Sequence, residues 1–292
     1  MLIIDTPYKT TAKLSCLAKE NVQTIIRYYN FSNSVSFPDK CLTLMEAQSI
    51  CAQGMNIAVV FQQRQNSADD FSDAKGYEAG RRAYRYASND IGQPEGSGIY
   101  FSVDFDANPA EITGSIIPFF QGIQRAFEEI SGSQPAYRVG VYGSGATAAA
   151  LSKNNLCSLV WLAMSSGFRG TKDAIRNGAY NIQQKAPEAT LCGLGLDYNL
   201  INPQQSDFGA FVVPVETSSV PTAVSAPTHE VISRTSLRLR GGPGTEYSVL
   251  GSLKPRQLVV AKPVNPEWSS IDLQGDGLID GFAASAFLKE LG

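Results

Sequence analysis

The feature that most constrains this chain is the alternation of short apolar runs with helix-like stretches across residues 1–211. Eight runs rich in Val, Ile, Leu, Tyr and Phe, at 2–5, 24–28, 56–61, 98–108, 137–142, 159–163, 179–184 and 194–199, read as strands. Helical periodicity separates most of them. It is strongest at 73–89, where Ala79, Ala83, Tyr84 and Ala87 form a stripe with Arg81, Arg82 and Arg85 largely off it. Thr43 and Glu46 stand in capping-box spacing at the head of another helix. The helix signal is weak between the sixth and seventh runs and nearly absent between the seventh and eighth. Such alternation implies parallel pairing with right-handed crossovers. Count and length predict an α/β fold, a (β/α)8 TIM-like barrel, with an open doubly wound sheet as the fallback.

The pattern ends at residue 211. Residues 212–228 carry three prolines among Ser, Thr and Val without periodicity and predict an extended linker. Residues 229–292 hold strand-like runs at 237–240, 248–253 and 257–261 between turns rich in Gly, Pro, Asn and Asp, which predicts a small all-β domain.

Several chemistries are excluded early. A net charge of -3 gives no electrostatic reason to expect nucleic acid as a partner. No apolar run approaches the roughly 20 residues that span a bilayer. The N-terminus, Met1-Leu-Ile-Ile-Asp5, reads as a strand and lacks the layout of a secretory signal, so export is expected by specialised secretion or lysis. The five cysteines are odd in number and without CxxC spacing, which predicts buried reduced thiols; Cys41 and Cys51 are the pair that would bridge in an oxidising compartment. The single histidine, His229, follows the linker, so Ser-His-Asp, Cys-His and His-based zinc chemistry are unsupported. Gly143-Ser-Gly-Ala-Thr147 lacks the Lys-Ser/Thr of a phosphate loop and reads as a tight turn into a helix. Acid–base work falls to carboxylates, tyrosines or lysines.

In a parallel barrel the active site lies at the carboxyl ends of the strands. Those ends are Asp5, Tyr28, Gln62, Asp104 with Asp106, Tyr142, Gln183 and Asp197. Strand alternation puts Tyr100, Ser102, Asp104 and Asp106 on one face. Tyrosine and amide side chains beside carboxylates suit a sugar, which offers apolar ring faces and hydroxyls. Four carboxylates are also a donor set for Mg²⁺ or Ca²⁺, but no stretch has the spacing of a known metal loop, and neither a metal nor a cofactor is expected.

Asp5, Tyr100-Phe-Ser-Val-Asp-Phe-Asp106, Gly140-Val-Tyr142, Trp161-Leu-Ala163, Gln183 and Leu196-Asp-Tyr-Asn199 follow the order of the DUF1906 family. This is the glycoside hydrolase-like domain of the Rv2525c type, related to the family 25 lysozymes, and the resemblance covers residues 1–211. It implies a barrel with a site for a sugar polymer, peptidoglycan above all. Asp106 is then the expected proton donor, Asp104 the group that stabilises an oxocarbenium-like state or orients an N-acetyl group, and Asp5 and Asp197 the residues that position sugar or water. Tyr28, Gln62, Tyr100, Tyr142, Trp161, Gln183 and Asn199 are expected to bind the substrate. The lysozymes usually end the central strand Asp-x-Glu; this chain has Asp104-Phe-Asp106. Residues 237–253, with Trp268 and 281–288, resemble a bacterial SH3 (SH3b) domain of cell-wall enzymes, which implies an SH3-like fold binding wall peptide or glycan. Two functions follow: a lysozyme-like peptidoglycan glycosidase tethered by the SH3b module, and a non-catalytic cell-wall glycan-binding protein. The first includes an antibacterial effector or lysin with an immunity protein as partner, acting in the periplasm or wall of a target cell.

Overall fold

The computed structural model describes residues 2–132, 135–214, 226–245, 247, 249–273, 275 and 279–291. The chain divides into two compact units, Met1–Val215 and Glu216–Gly292. Of the expected linker, residues 215–225 lie outside the described residues.

The first unit is a closed eight-stranded barrel in chain order: β1 Leu2–Asp5, β2 Val22–Tyr29, β3 Asn56–Phe61, β4 Gly98–Ser102, β5 Arg138–Gly143, β6 Leu159–Leu162, β7 Ile182–Leu191 and β8 Leu194–Ile201. Helices α1 Leu14–Lys19, α2 Leu44–Ala52, α3 Asp73–Arg85, α4 Pro109–Glu111, α5 Ile117–Ser131, α6 Gly145–Lys153 and α7 Thr171–Arg176 lie between strands. Asn56–Phe61, buried at every position after Asn56, shows why the strands read as near-continuous apolar runs: strands in such a barrel have one face against the interior and the other against helices. Ile4, Ile25, Ile57, Val59, Phe101 and Val141 pack outward with the helices; Ile3, Ile26, Ala58, Val60, Tyr100, Leu159, Trp161 and Ile182 fill the interior.

The expectation of eight parallel strands fails at β8. It runs antiparallel to both β7 and β1. Only Cys192 and Gly193 separate the two strands, and both have positive φ (55° and 71°), the geometry of a two-residue hairpin. The absent helix signal between these strands was the trace of that hairpin.

The end of the barrel opposite the strands' carboxyl termini is plugged by the segment after β8. Phe208 enters the interior cluster, its carbonyl accepts the Tyr100 hydroxyl at 2.9 Å, and Gly98 N–H donates to the Gly209 carbonyl at 2.9 Å. Gly209 sits at φ +78°, and a Cβ there would lie 2.8 Å from the Gly98 backbone, so no larger residue closes this end without displacing it.

At the other end, the segment between β2 and α2 is fastened from below. Arg27, wholly buried on β2, pairs with Glu46 (Nε to Oε1 2.9 Å) and donates to the carbonyls of Thr6 and Asp39. The Thr43 side chain accepts from Glu46 N–H as the capping spacing predicts, but the Glu46 carboxylate is turned inward to Arg27 and Thr10. The thiols also depart from expectation. Cys16 of α1 and Cys192 of the hairpin form a disulfide across 176 residues, whereas Cys41, Cys51 and Cys157 are free.

The second unit is a seven-stranded sheet in the order β11-β10-β14-β13-β12-β9-β15, with antiparallel pairs. Its strands are β9 His229–Val231, β10 Leu237–Arg240, β11 Val249–Leu253, β12 Leu258–Pro263, β13 Trp268–Asp272, β14 Gly281–Ala284 and β15 Leu288–Glu290. Val231, Leu237, Leu239, Leu253, Val259, Ala261, Ile271 and Ala283 form its core.

Candidate functional site

A cleft of about 260 Å³ opens at the carboxyl ends of β2 to β6. Alternation sets its floor: Val60 and Trp161 face the interior, and Gln62, Ser102 and Tyr142 follow on the same face of β3, β4 and β5. Of the expected residues, Tyr28, Gln62, Asp104, Tyr142, Trp161 and Asp197 line this cleft. Ser102, Met164, Gln184 and Glu188 join them without having been anticipated as site residues.

Asp5 and Asn199 lie beneath the lining. Asp5 is 2% exposed and accepts from Asn199 Nδ2 at 2.7 Å, from Gln184 Nε2 at 3.2 Å to each oxygen, and from the Tyr28 hydroxyl at 3.4 Å. Asn199 also accepts the Trp161 indole N–H at 2.8 Å, which fixes the ring on the cleft floor. Gln184 Nε2 reaches Asp197 Oδ2 at 2.9 Å, so one amide bridges two carboxylates that face each other across the β1–β8 ladder. Its oxygen accepts the Tyr142 hydroxyl at 2.8 Å.

Three expected positions fall elsewhere. Gln183 points away from the cleft, because Ile182 and Gln184 are the interior-facing residues of β7; a shift of one residue changes the face. Tyr100 is buried with its hydroxyl held at the plugged end. Asp106 does not share a strand face with Asp104, since β4 ends at Ser102 and alternation ends with it. Its carboxylate accepts from the Arg169 backbone N–H at 2.7 Å and pairs with the guanidinium at 2.8 Å, outside the cleft lining.

Glu188 reaches the cleft through an irregularity. Between Lys185 and Ala189 the β7 chain advances four residues while β8 advances two, from Tyr198 to Leu196. Glu188 lies in this bulge, and Asp197 lies opposite. Lys40, from the fastened segment, sits 4.5 Å above the Tyr28 ring centroid and donates to Gln62 Oε1 at 2.9 Å.

Burial sets the protonation states. It pushes Asp5 up to about 7, assisted by the Asp197 charge and opposed by the hydrogen bonds from Asn199, Gln184 and Tyr28. Burial, then the Glu188 charge, raises Asp197 to about 6. Asp104 is raised by burial against the pull of Gln62 and Lys40, and burial lowers Lys40 to about 8. The cleft can therefore hold or release protons near neutrality. Among the described residues no group of three or more His, Cys, Asp or Glu side chains is placed to hold a metal ion.

Comparison with known proteins agrees with this architecture. Residues 15–197 match the model of the Rv2525c-like, glycoside hydrolase-like domain. The uncharacterized protein YbfG of Bacillus subtilis (strain 168) is 34% identical over 168 residues, which are 55% of this chain and 22% of that protein. FadG of the same organism is 29% identical over 126 residues, 43% of this chain and 21% of that protein, so the matches span about a fifth of these relatives. The Mycobacterium tuberculosis Tat-secreted protein Rv2525c, crystallised in complex with L-tartrate, superposes with a TM-score of 0.58 at 22% identity, over 72% of this chain and 98% of that one. An uncharacterized B. stearothermophilus protein gives a TM-score of 0.52 at 18% identity over 72% and 100%.

Proposed function

The chain belongs to the Rv2525c-like, glycoside hydrolase-like domain family, and from that premise we propose that its barrel binds cell-wall glycan without cleaving it. One observation carries the reading: Asp106, the proton donor that the resemblance to the family 25 lysozymes implies, is held by Arg169 away from the cleft. Recognition chemistry remains, with Trp161, Tyr28 and Tyr142 as aromatic walls and Gln62, Gln184 and Ser102 as polar partners for hydroxyls. The cleft volume is below the roughly 300 Å³ at which ligand pockets usually begin, which suits one sugar ring. The order of the two functions read from the sequence is thereby reversed.

In this proposal residues 1–211 are the glycan-binding barrel, 212–228 the linker, whose Val213 still packs into the barrel core, and 229–292 an SH3b-like module. A groove beside Trp268, walled by Pro243, Thr245, Asn265 and Glu267, is the place in that module for wall peptide or glycan. The Cys16–Cys192 disulfide suits an oxidising compartment and hence a place of work outside the cytoplasm.

Hydrolysis is the second reading, and one observation favours it. Asp197 and Glu188 share the cleft, and a carboxyl raised to about 6 suits a proton donor. An antibacterial role with an immunity partner belongs to that reading alone. Sedimentation of the full chain with insoluble peptidoglycan, with assay of new reducing ends, separates the two. Binding without soluble fragments is expected. Fragment release abolished by Asp197→Asn or Glu188→Gln would establish the glycosidase; absence of sedimentation would remove the binding proposal.

A further inference from the structure

We infer that the barrel cleft takes a sugar carrying a protonated primary amine, an N-deacetylated amino-sugar unit, in preference to its N-acetylated form. This rests on the glycan-binding reading and names the chemistry of its ligand. Charge is the first observation. Asp104, Glu188 and Asp197 line a cleft of about 260 Å³ that has no Lys or Arg among its lining residues. Tyr28, Tyr142 and Trp161 complete the walls. Ring faces carry negative potential, so rings together with carboxylates surround an ammonium favourably and give a neutral acetamide much less.

The second observation is independent of the carboxylate count: the chain already seats one primary ammonium against this wall. Lys40 Nζ lies over the Tyr28 ring at 4.5 Å and donates to Gln62 Oε1 at 2.9 Å. The Nε2 of the same Gln62 donates to Asp104 at 3.2 Å. A ring face, an amide oxygen and a nearby carboxylate are thus the environment this wall offers an ammonium. Lys40 offsets one of the three lining carboxylates and leaves an excess of negative charge on the Glu188–Asp197 side. There, Asp197 Oδ1 is buried and accepts no hydrogen bond from the described residues. Asp197 itself lines the cleft, and an ammonium brings three donors to the carboxylates on this side.

The test is calorimetric titration of the full chain with glucosamine oligomers and with N-acetylglucosamine oligomers of the same length, at about pH 6 so that the amine is protonated. The amine form should bind at least about tenfold more tightly, as expected for one charge-assisted contact. The preference should shrink with added salt and in Glu188→Gln, whose exposed position leaves folding intact. It should grow in Lys40→Met, which removes a like charge. Equal affinity, or tighter binding of the acetylated form, would overturn the inference and leave glycan binding standing. Failure of both oligomers would overturn the inference too; the glycan reading falls with it only if the protein also fails to sediment with peptidoglycan.

Discussion

Asp5→Asn gives the sharpest test of the electrostatics beneath the cleft. In the folded protein the Asp5 carboxyl is pushed from the ordinary 3.8 to about 7. Between those values the native state keeps a proton that the unfolded chain has released, so stability falls as pH rises through the window and levels off above about pH 7. The full fall is about 4 kcal/mol, because each pKa step is worth about 1.4 kcal/mol. Asparagine carries no such penalty. It does present an NH₂ where Asn199 and Gln184 donate, which costs roughly 1–3 kcal/mol at any pH. The variant should therefore be less stable than the parent near pH 4 and more stable near pH 8, by roughly 1–3 kcal/mol in each direction. Urea unfolding across this range, followed by the fluorescence of buried Trp161 in a Trp268→Phe background, reports the barrel alone. Stability curves that stay parallel across the range would refute the assignment of a raised Asp5.

Other perturbations address the scaffold and the rim. Cys16→Ser should lower stability by roughly 2–5 kcal/mol, given the long segment closed by the disulfide, and a melting midpoint unmoved by the substitution or by reductant would show the bond to be unformed. Arg27→Met should cost about 3–5 kcal/mol by leaving Glu46 buried and unpaired, and adding Glu46→Leu should recover part of it; losses that simply add in a denaturant titration would contradict a coupled pair. Asp106→Asn should change stability by less than about 1 kcal/mol and leave sedimentation with peptidoglycan intact, whereas Asp104→Asn should weaken it. Equal losses in the two would return Asp106 to the site.

Much of the barrel was legible in the sequence because its strands are buried on both faces. Asn56–Phe61 and Leu2–Asp5 have no amphipathic ambiguity, and their expected and observed limits coincide. What failed was local geometry at strand ends. Asp104 and Asp106 are equivalent only while the strand continues, and it stops at Ser102. Gln183 and Gln184 are adjacent amides whose faces are distinguished only by the burial of Ile182 inside the barrel. Ser102 had a visible signal, since it shares the face of Asp104. Glu188 had none, for its place depends on a bulge opposite an antiparallel neighbour. Cysteine pairing, too, is not deducible from spacing when the partners meet only through the fold.

These departures converge on one part of the molecule. Parallel strands offer the mouth of a barrel their last residues, whereas the β7–β8 hairpin lends it a longer stretch and builds the cleft wall carrying Gln184, Glu188 and Asp197. Gln184 is the joint between that wall and the floor, since its Nε2 serves Asp5 and Asp197 together. Its hydrogen bonds favour the charged form of Asp5 and hold the pKa below what burial alone would impose. Gln184→Leu removes them, so the Asp5 pKa should move above about 7 and the decline of stability with pH should extend to higher pH. Titration of the Asp5 carboxyl by NMR in the two proteins measures this directly. A midpoint unmoved or lowered in Gln184→Leu would mean that the amide does not couple the hairpin to the buried acid, and that wall and floor act separately.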